Sequence, residues 1–249
     1  MKKIISVLLV MIAVSACSSS DPILPGARTP VFDSVGVETI GDIPMSEFAN
    51  AKIITPEITD KFVQTLDNEV FEKKDGNPDR KIFAGFATNE KIDTPRYPVF
   101  YKNFVYAALT TGEVAKINPR NRQILWIADV YKNSNMLGGS RLVDITAMPI
   151  ANNNLLFVGG LGGEFCALNI QNGNKKWCAN LSTDKNFVLL NDIVFVNSVD
   201  KILYALNAKN GKIYWTANTK KSATPKVIND NGNYFVMVDD EKFNAINGK

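Results

Sequence analysis

From residue 97 onward the chain repeats itself, and an internal repeat limits the fold more tightly than any other feature of a sequence. Four copies align, over 97–126, 147–177, 187–215 and 223–249. Each opens with a short extended piece and a polar turn. A strongly apolar strand follows, then a second turn, an alternating strand ending near an asparagine, and a third turn. In the first three copies a further strand ends on Trp126, Trp177 or Trp215. The strands at 104–109, 155–158, 193–196 and 234–238 are apolar at nearly every position, which means burial on both faces. Asn172-Gly173, Asn210-Gly211 and Asn247-Gly248 supply the positive φ that a tight connection needs. Four short strands per repeat, each sheet buried against its neighbours, predict the blades of a β-propeller. The expected fold is all-β, an incomplete or small β-propeller of about four to five four-stranded blades. A tryptophan at one fixed place per blade reads as an anchor between adjacent sheets, not as a cofactor box.

Residues 97–249 carry these repeats. Residues 35–96 have room for part of a further blade, and 58–71 reads either as one helical stretch or as irregular strands. In the fourth copy the tryptophan position falls just beyond Gly248-Lys249. The last blade is therefore expected to lack its final strand, leaving an edge for a partner or an N-terminal strand to cover.

Composition removes several function classes. The 249 residues include no histidine, so no His-based triad, general base or metal site can be built. Three cysteines are too few and too scattered for structural zinc. There are 28 Lys and Arg against 25 Asp and Glu, with Lys2 and Lys3 among the cations. That near-neutral balance gives no electrostatic footprint for nucleic acid. The run Gly159-Gly160-Leu161-Gly162-Gly163 has no helix pattern after it, so a turn is expected there and not a phosphate cradle. Asp239-Asp240-Glu241 lacks calcium-loop spacing. The lysines Lys201, Lys209, Lys212, Lys220, Lys221 and Lys226 read as a solvated face. No catalytic residue, metal ligand or cofactor site is expected. Cys166 and Cys178 flank the Asn172-Gly173 turn on consecutive strands, and a one-residue change of register decides between a disulfide and two buried thiols.

The N-terminus carries its own signal. Lys2 and Lys3 precede an apolar stretch, 4–14, that is too short to span a bilayer and long enough for a signal peptide. Val14-Ser15-Ala16-Cys17 resembles a bacterial lipobox. That resemblance implies a lipoprotein signal peptide over 1–16, acylation at Cys17, and a flexible tether over 17–34. Acyl chains anchor through about 0.8 kcal/mol per buried CH₂. Ser18 stands where lipoproteins retained at the inner membrane have aspartate, which favours the outer membrane and a body in the oxidising periplasm.

The repeat core Ala-Leu-Asn-x-x-x-Gly-x-x-x-Trp, at 167–177 and 205–215, resembles the propeller repeat of pyrroloquinoline-quinone proteins. Together with the lipobox, it resembles the BamB family of outer-membrane assembly lipoproteins. The segment 141–149, with Arg141, Leu142, Asp144 and Pro149, is similar to that family's Arg-Leu-x-Asp-hydrophobic-Asp-x-x-Pro segment, and Thr146 replaces its second acid. The resemblance implies a non-enzymatic, lipid-anchored periplasmic scaffold. Its partner would be the barrel-inserting subunit of the outer-membrane assembly machinery, with Arg141 and Asp144 in the docking surface. Without the resemblance, Asp144 reads first as a group bonded to its own turn or to the neighbouring blade. The rival readings are a fragment of a quinoprotein-type enzyme and a periplasmic ligand-binding module. Family members build about eight blades, more than this chain has room for.

Overall fold

A computed structural model describes residues 38–88, 92, 96–130 and 144–249. Cys17, the segment before it and Arg141 lie outside the described residues. Residues 38–249 form one compact unit of small antiparallel sheets. One 3₁₀ turn, Met45–Phe48, is the helical element among the described residues.

The strands group into five blades. After a short strand β1 (Ile53–Ile54), blade one holds β2 (Phe62–Gln64), β3 (Glu69–Lys74) and β4 (Asn77–Ala84). Blade two holds β5 (Val99–Tyr101), β6 (Phe104–Ala108), β7 (Glu113–Asn118) and β8 (Gln123–Asp129). Blade three holds β9 (Ile150–Asn152), β10 (Leu155–Val158), β11 (Phe165–Asn169) and β12 (Lys175–Ala179). Blade four holds β13 (Val188–Leu190), β14 (Ile193–Asn197), β15 (Ile202–Asn207) and β16 (Ile213–Asn218), with β1 added at β13. Blade five holds β17 (Lys226–Asp230), β18 (Asn233–Val238) and β19 (Glu241–Asn244). The chain is thus an all-β, incomplete propeller. The stretch 58–71 forms strands and turns, which resolves the helix-or-strand ambiguity of that stretch.

The apolar strands are sandwiched because the core lies between blades, not within one. Phe62, Val70 and Ile82 of blade one meet Val105, Ala107 and Ile117 of blade two. The opposite face of blade two, through Tyr106 and Ala108, meets Leu156 and Val158 of blade three. Phe157 and Phe165 meet Leu189 and Val194 of blade four. Phe195 and Leu203 meet Val227 and Val236 of blade five, where Ile43 and Phe48 add to the cluster. Alternate residues of one strand therefore serve two different cores.

Each tryptophan bolts its blade to the next. The indole Nε1 donates to the carbonyl of Ile170 at 3.3 Å from Trp126, of Ala208 at 2.9 Å from Trp177, and of Ala245 at 3.1 Å from Trp215. The same rings lie flat on Gly173, Gly211 and Gly248, whose φ values are +76°, +73° and +72°. A Cβ at those glycines would sit 2.9, 2.5 and 2.5 Å from the indole. Blade one has no tryptophan, and its bolt is Arg80, which donates to Pro119 O at 2.6 Å. With no indole to admit, the matching glycine position in blade two is Arg122, still at φ +61°. Arg80 and Lys61 also hold Glu72. Burial opposes its ionisation, but the hydrogen bonds from both cations outweigh that and keep its carboxyl below the usual carboxylate range.

The N-terminal segment ties the far blades together. Ile40 and Gly41 donate to Ile213 and Tyr214 of β16, and Ile43 donates to Ile246 beyond β19, at 2.8, 3.0 and 2.9 Å. The chain then crosses the side where the first strands of the blades lie. Ile53 and Ile54 pair with β13 of blade four, and Ile58 bridges Val99 of blade two.

Candidate functional site

In an up-and-down blade the connections fall at two ends. One end carries the turn between the first and second strands and the turn between the third and fourth. The other carries the second-to-third turns and the crossings between blades, and 144–149 lies in one of those crossings. Such loops present function while the sheets hold them still.

The crossing into blade three is fixed from inside. Asp144 is 0% exposed and Arg96 is 8% exposed. Arg96 Nη2 donates to both carboxylate oxygens, at 2.6 and 2.5 Å, and its Nη1 donates to Ile145 O at 2.8 Å. The Ile92 amide donates to Asp144 Oδ2 at 3.1 Å. The backbone of Asp144 pairs with Leu161 in both directions. That pairing needs the glycine run, since a Cβ at Gly160 would lie 2.1 Å from Asp144 O. The run 159–163 is accordingly the turn between β10 and β11, shaped for a crossing chain. Of the two readings of Asp144, an acceptor for a partner or a group bonded within the protein, the structure shows its carboxylate bonded within the protein. Arg96 supplies the charge-assisted bonds, both from Nη2.

Further polar links follow around the same end. The Thr146 hydroxyl donates to Thr183 O at 3.1 Å, and Thr183 Oγ1 donates to Asn197 O at 2.8 Å. Asn197 Nδ2 donates to Lys221 O at 2.9 Å, reaching blade five. Between blades one and two, Asn68 Nδ2 donates to Thr110 Oγ1 at 2.8 Å and the Thr110 amide returns to Asn68 Oδ1 at 2.9 Å. Thr146 thus serves this ladder where the family pattern has a second acid.

The surface of this end is aromatic and charged. Phe86 is 83% exposed, while its carbonyl is held by Asn68 Nδ2 at 2.7 Å. Lys221 pairs with Asp239 at 2.7 Å, and Asp184 with Lys185 at 2.7 Å and with the Ser222 hydroxyl at 2.8 Å. Burial opposes the ionisation of Asp184, but the bonds from Lys185 and Ser222 outweigh it and lower its pKa. Phe86 stands on the segment leaving blade one, whereas these ion pairs lie on the segments entering blades four and five and on the β18–β19 turn. Sequence reasoning missed Phe86 and Arg96, because neither stands in a repeat and Arg96 lies 48 residues from its partner.

Cys166 and Cys178 form a disulfide between directly opposed positions of β11 and β12. Glu164 lies close to both sulfurs. Because the sulfurs are bonded to one another, the trio offers no thiolates to a metal. No other such cluster occurs among the described residues. None of the helices described is long and apolar enough to cross a membrane.

Known proteins agree with this architecture. BamB from Moraxella catarrhalis superposes with a TM-score of 0.59 at 17% identity, over 71% of this chain and 54% of that one. A quinohemoprotein alcohol dehydrogenase from Pseudomonas putida superposes with a TM-score of 0.55 at 12% identity, over 87% and 44%. Sqt1 from Saccharomyces cerevisiae superposes with a TM-score of 0.55 at 15% identity, over 76% and 56%. At these identities the likeness is one of fold, and the chain spans about half the length of the solved structures it resembles. No curated protein sequence matches the chain. The family model described as outer membrane protein assembly factor BamB matches residues 46–248, from the 3₁₀ turn to the last tryptophan socket. The chain belongs to the BamB family.

Proposed function

We propose that this protein is a lipid-anchored scaffold on the periplasmic face of the outer membrane. It takes part in assembling and inserting β-barrel proteins by binding the barrel-inserting subunit. The observation that carries this reading is the family match over 46–248. The anchor is the acylated Cys17, the binding surface is the end of the propeller that holds Phe86 and 144–149, and Arg141 is a residue that contacts the partner. Asp144 acts there through Arg96, by fixing the entry to blade three. A non-enzymatic role is also favoured by the crossing at 53–58. It lies against the first strands of blades two and four, the side that faces a propeller's axis and on which a quinoprotein would hold its cofactor.

The test is a pull-down of the full chain from detergent-solubilised membranes, run beside Cys17→Ala. The barrel-inserting subunit is expected with the native chain. The variant is expected to lose its fatty-acid label, its membrane fraction and most of the captured subunit. A labelled Cys17→Ala protein refutes the anchor, and a native pull-down without the subunit refutes the scaffold.

A further inference from the structure

The opposite end of the propeller holds a cleft of about 330 Å³ between blades two and three. Blade two lines it with Tyr101, Phe104, Tyr106 and Lys116, and blade three with Asn154 and Gln171. Lys116 is the unusual member. In the register of the blades it stands opposite Trp126, where blades three and four place Ala167 opposite Trp177 and Ala205 opposite Trp215. Alanine fills that position adequately, so packing does not require a lysine.

Lys116 is 7% exposed. Its Nζ donates to Ile170 O at 2.9 Å and stands 4.4 Å and 5.7 Å from the ring centres of Phe104 and Tyr106. Among the described residues no carboxylate pairs with it. Burial lowers its pKa. Blade five repeats the arrangement with a counter-ion. Lys242 lies 3.8 Å from the ring centre of Phe235 and is paired with Asp230 at 3.5 Å. In blade two the Lys102-Asn103 turn between β5 and β6 brings no acid, and Lys102 adds a second cation 5.1 Å from the Tyr101 ring.

We infer that this cleft binds a carboxylate, with Lys116 as the charged donor and the aromatic rings as the apolar walls. A carboxylate accepts a charge-assisted bond from Nζ that is stronger than the ring contacts it supplements. The side-chain amides of Asn154 and Gln171 can donate to its second oxygen. This site is independent of the scaffold reading and lies at the other end of the blades.

The test uses the ¹⁵N-labelled full chain in detergent, titrated with benzoate, with benzamide as the uncharged isostere, and with the tripeptide amide acetyl-Ala-Glu-Ala-NH₂. Saturable shifts of the Asn154 and Gln171 amides are expected with at least one of the acids. Lys116→Ala, the residue of the two following blades, is expected to weaken that binding about tenfold or more. In that variant Ile170 O keeps its bond from Trp126, which preserves the blade contact. Shifts with benzoate assign a free acid, and shifts with the tripeptide alone assign an acidic side chain of a polypeptide. Absence of saturable shifts with both acids, benzamide binding as tightly as benzoate, or full binding by Lys116→Ala would overturn the inference. The benzamide comparison needs no variant and holds even if Lys116→Ala folds poorly.

Discussion

Asp144→Ala is expected to lower the stability of the folded chain by about 3–5 kcal/mol, because it leaves the Arg96 guanidinium buried without its counter-charge. Arg96 is held by that carboxylate and by one carbonyl, and Asp144 has no solvent to replace it. The paired replacement Arg96→Met with Asp144→Leu removes both charges and fills the space with apolar atoms. Its loss should be far smaller, since desolvating an ion pair costs about as much as the pair returns. Denaturant unfolding of the three proteins checks this. A single variant within about 1 kcal/mol of the native chain would mean that solvent or another group replaces the lost partner. Affinity for a protein partner, measured on the folded fraction, should survive Asp144→Ala better than stability does, because the carboxylate is internal.

The second large effect concerns the tryptophan sockets. Gly211→Ala and Gly76→Ala place the same methyl group on backbones of nearly equal φ, +73° and +68°. The left-handed conformation alone costs about 1–2 kcal/mol. At Gly76 nothing lies within 4 Å of the added carbon, so that is the whole expected loss. At Gly211 the carbon would lie 2.5 Å from the Trp177 ring, and the indole must leave its seat against Ala208 O. Overpacking adds about 1–3 kcal/mol there. Gly211→Ala should therefore melt several degrees below Gly76→Ala, and equal melting temperatures would show that the indole is not a bolt between blades.

What could be read in the sequence follows from the same physics. Blades two to four were legible because each side of each sheet is buried against a neighbour, which forces unbroken apolar strands and one tryptophan per joint, and blade five was legible from the one side it buries on blade four. Blade one was not legible, since Arg80 does the work of a tryptophan there and the periodic mark disappears. The Arg96–Asp144 pair left no local pattern because its partners meet only through the packing of two crossings. The disulfide rested on hairpin register. A bulge between Ala167 and Leu168 shifts the pairing of β11 and β12, and only the pairing itself places Cys166 opposite Cys178. Phe86 gave no sign either, because composition does not say which aromatic residue lies outside a core.

The blades, their bolts and the buried Arg96–Asp144 strap are parts of a frame, and the claim made for that frame is that one end of it grips a protein of the assembly machinery. Calorimetric titration of the full chain in detergent with the soluble periplasmic domains of the barrel-inserting subunit tests this most directly. Saturable binding is expected, weakened about tenfold or more by Phe86→Ala and by Arg141→Glu, in variants whose melting temperatures match the native chain. An absence of binding by the folded native protein at concentrations on the order of 100 μM would contradict the claim.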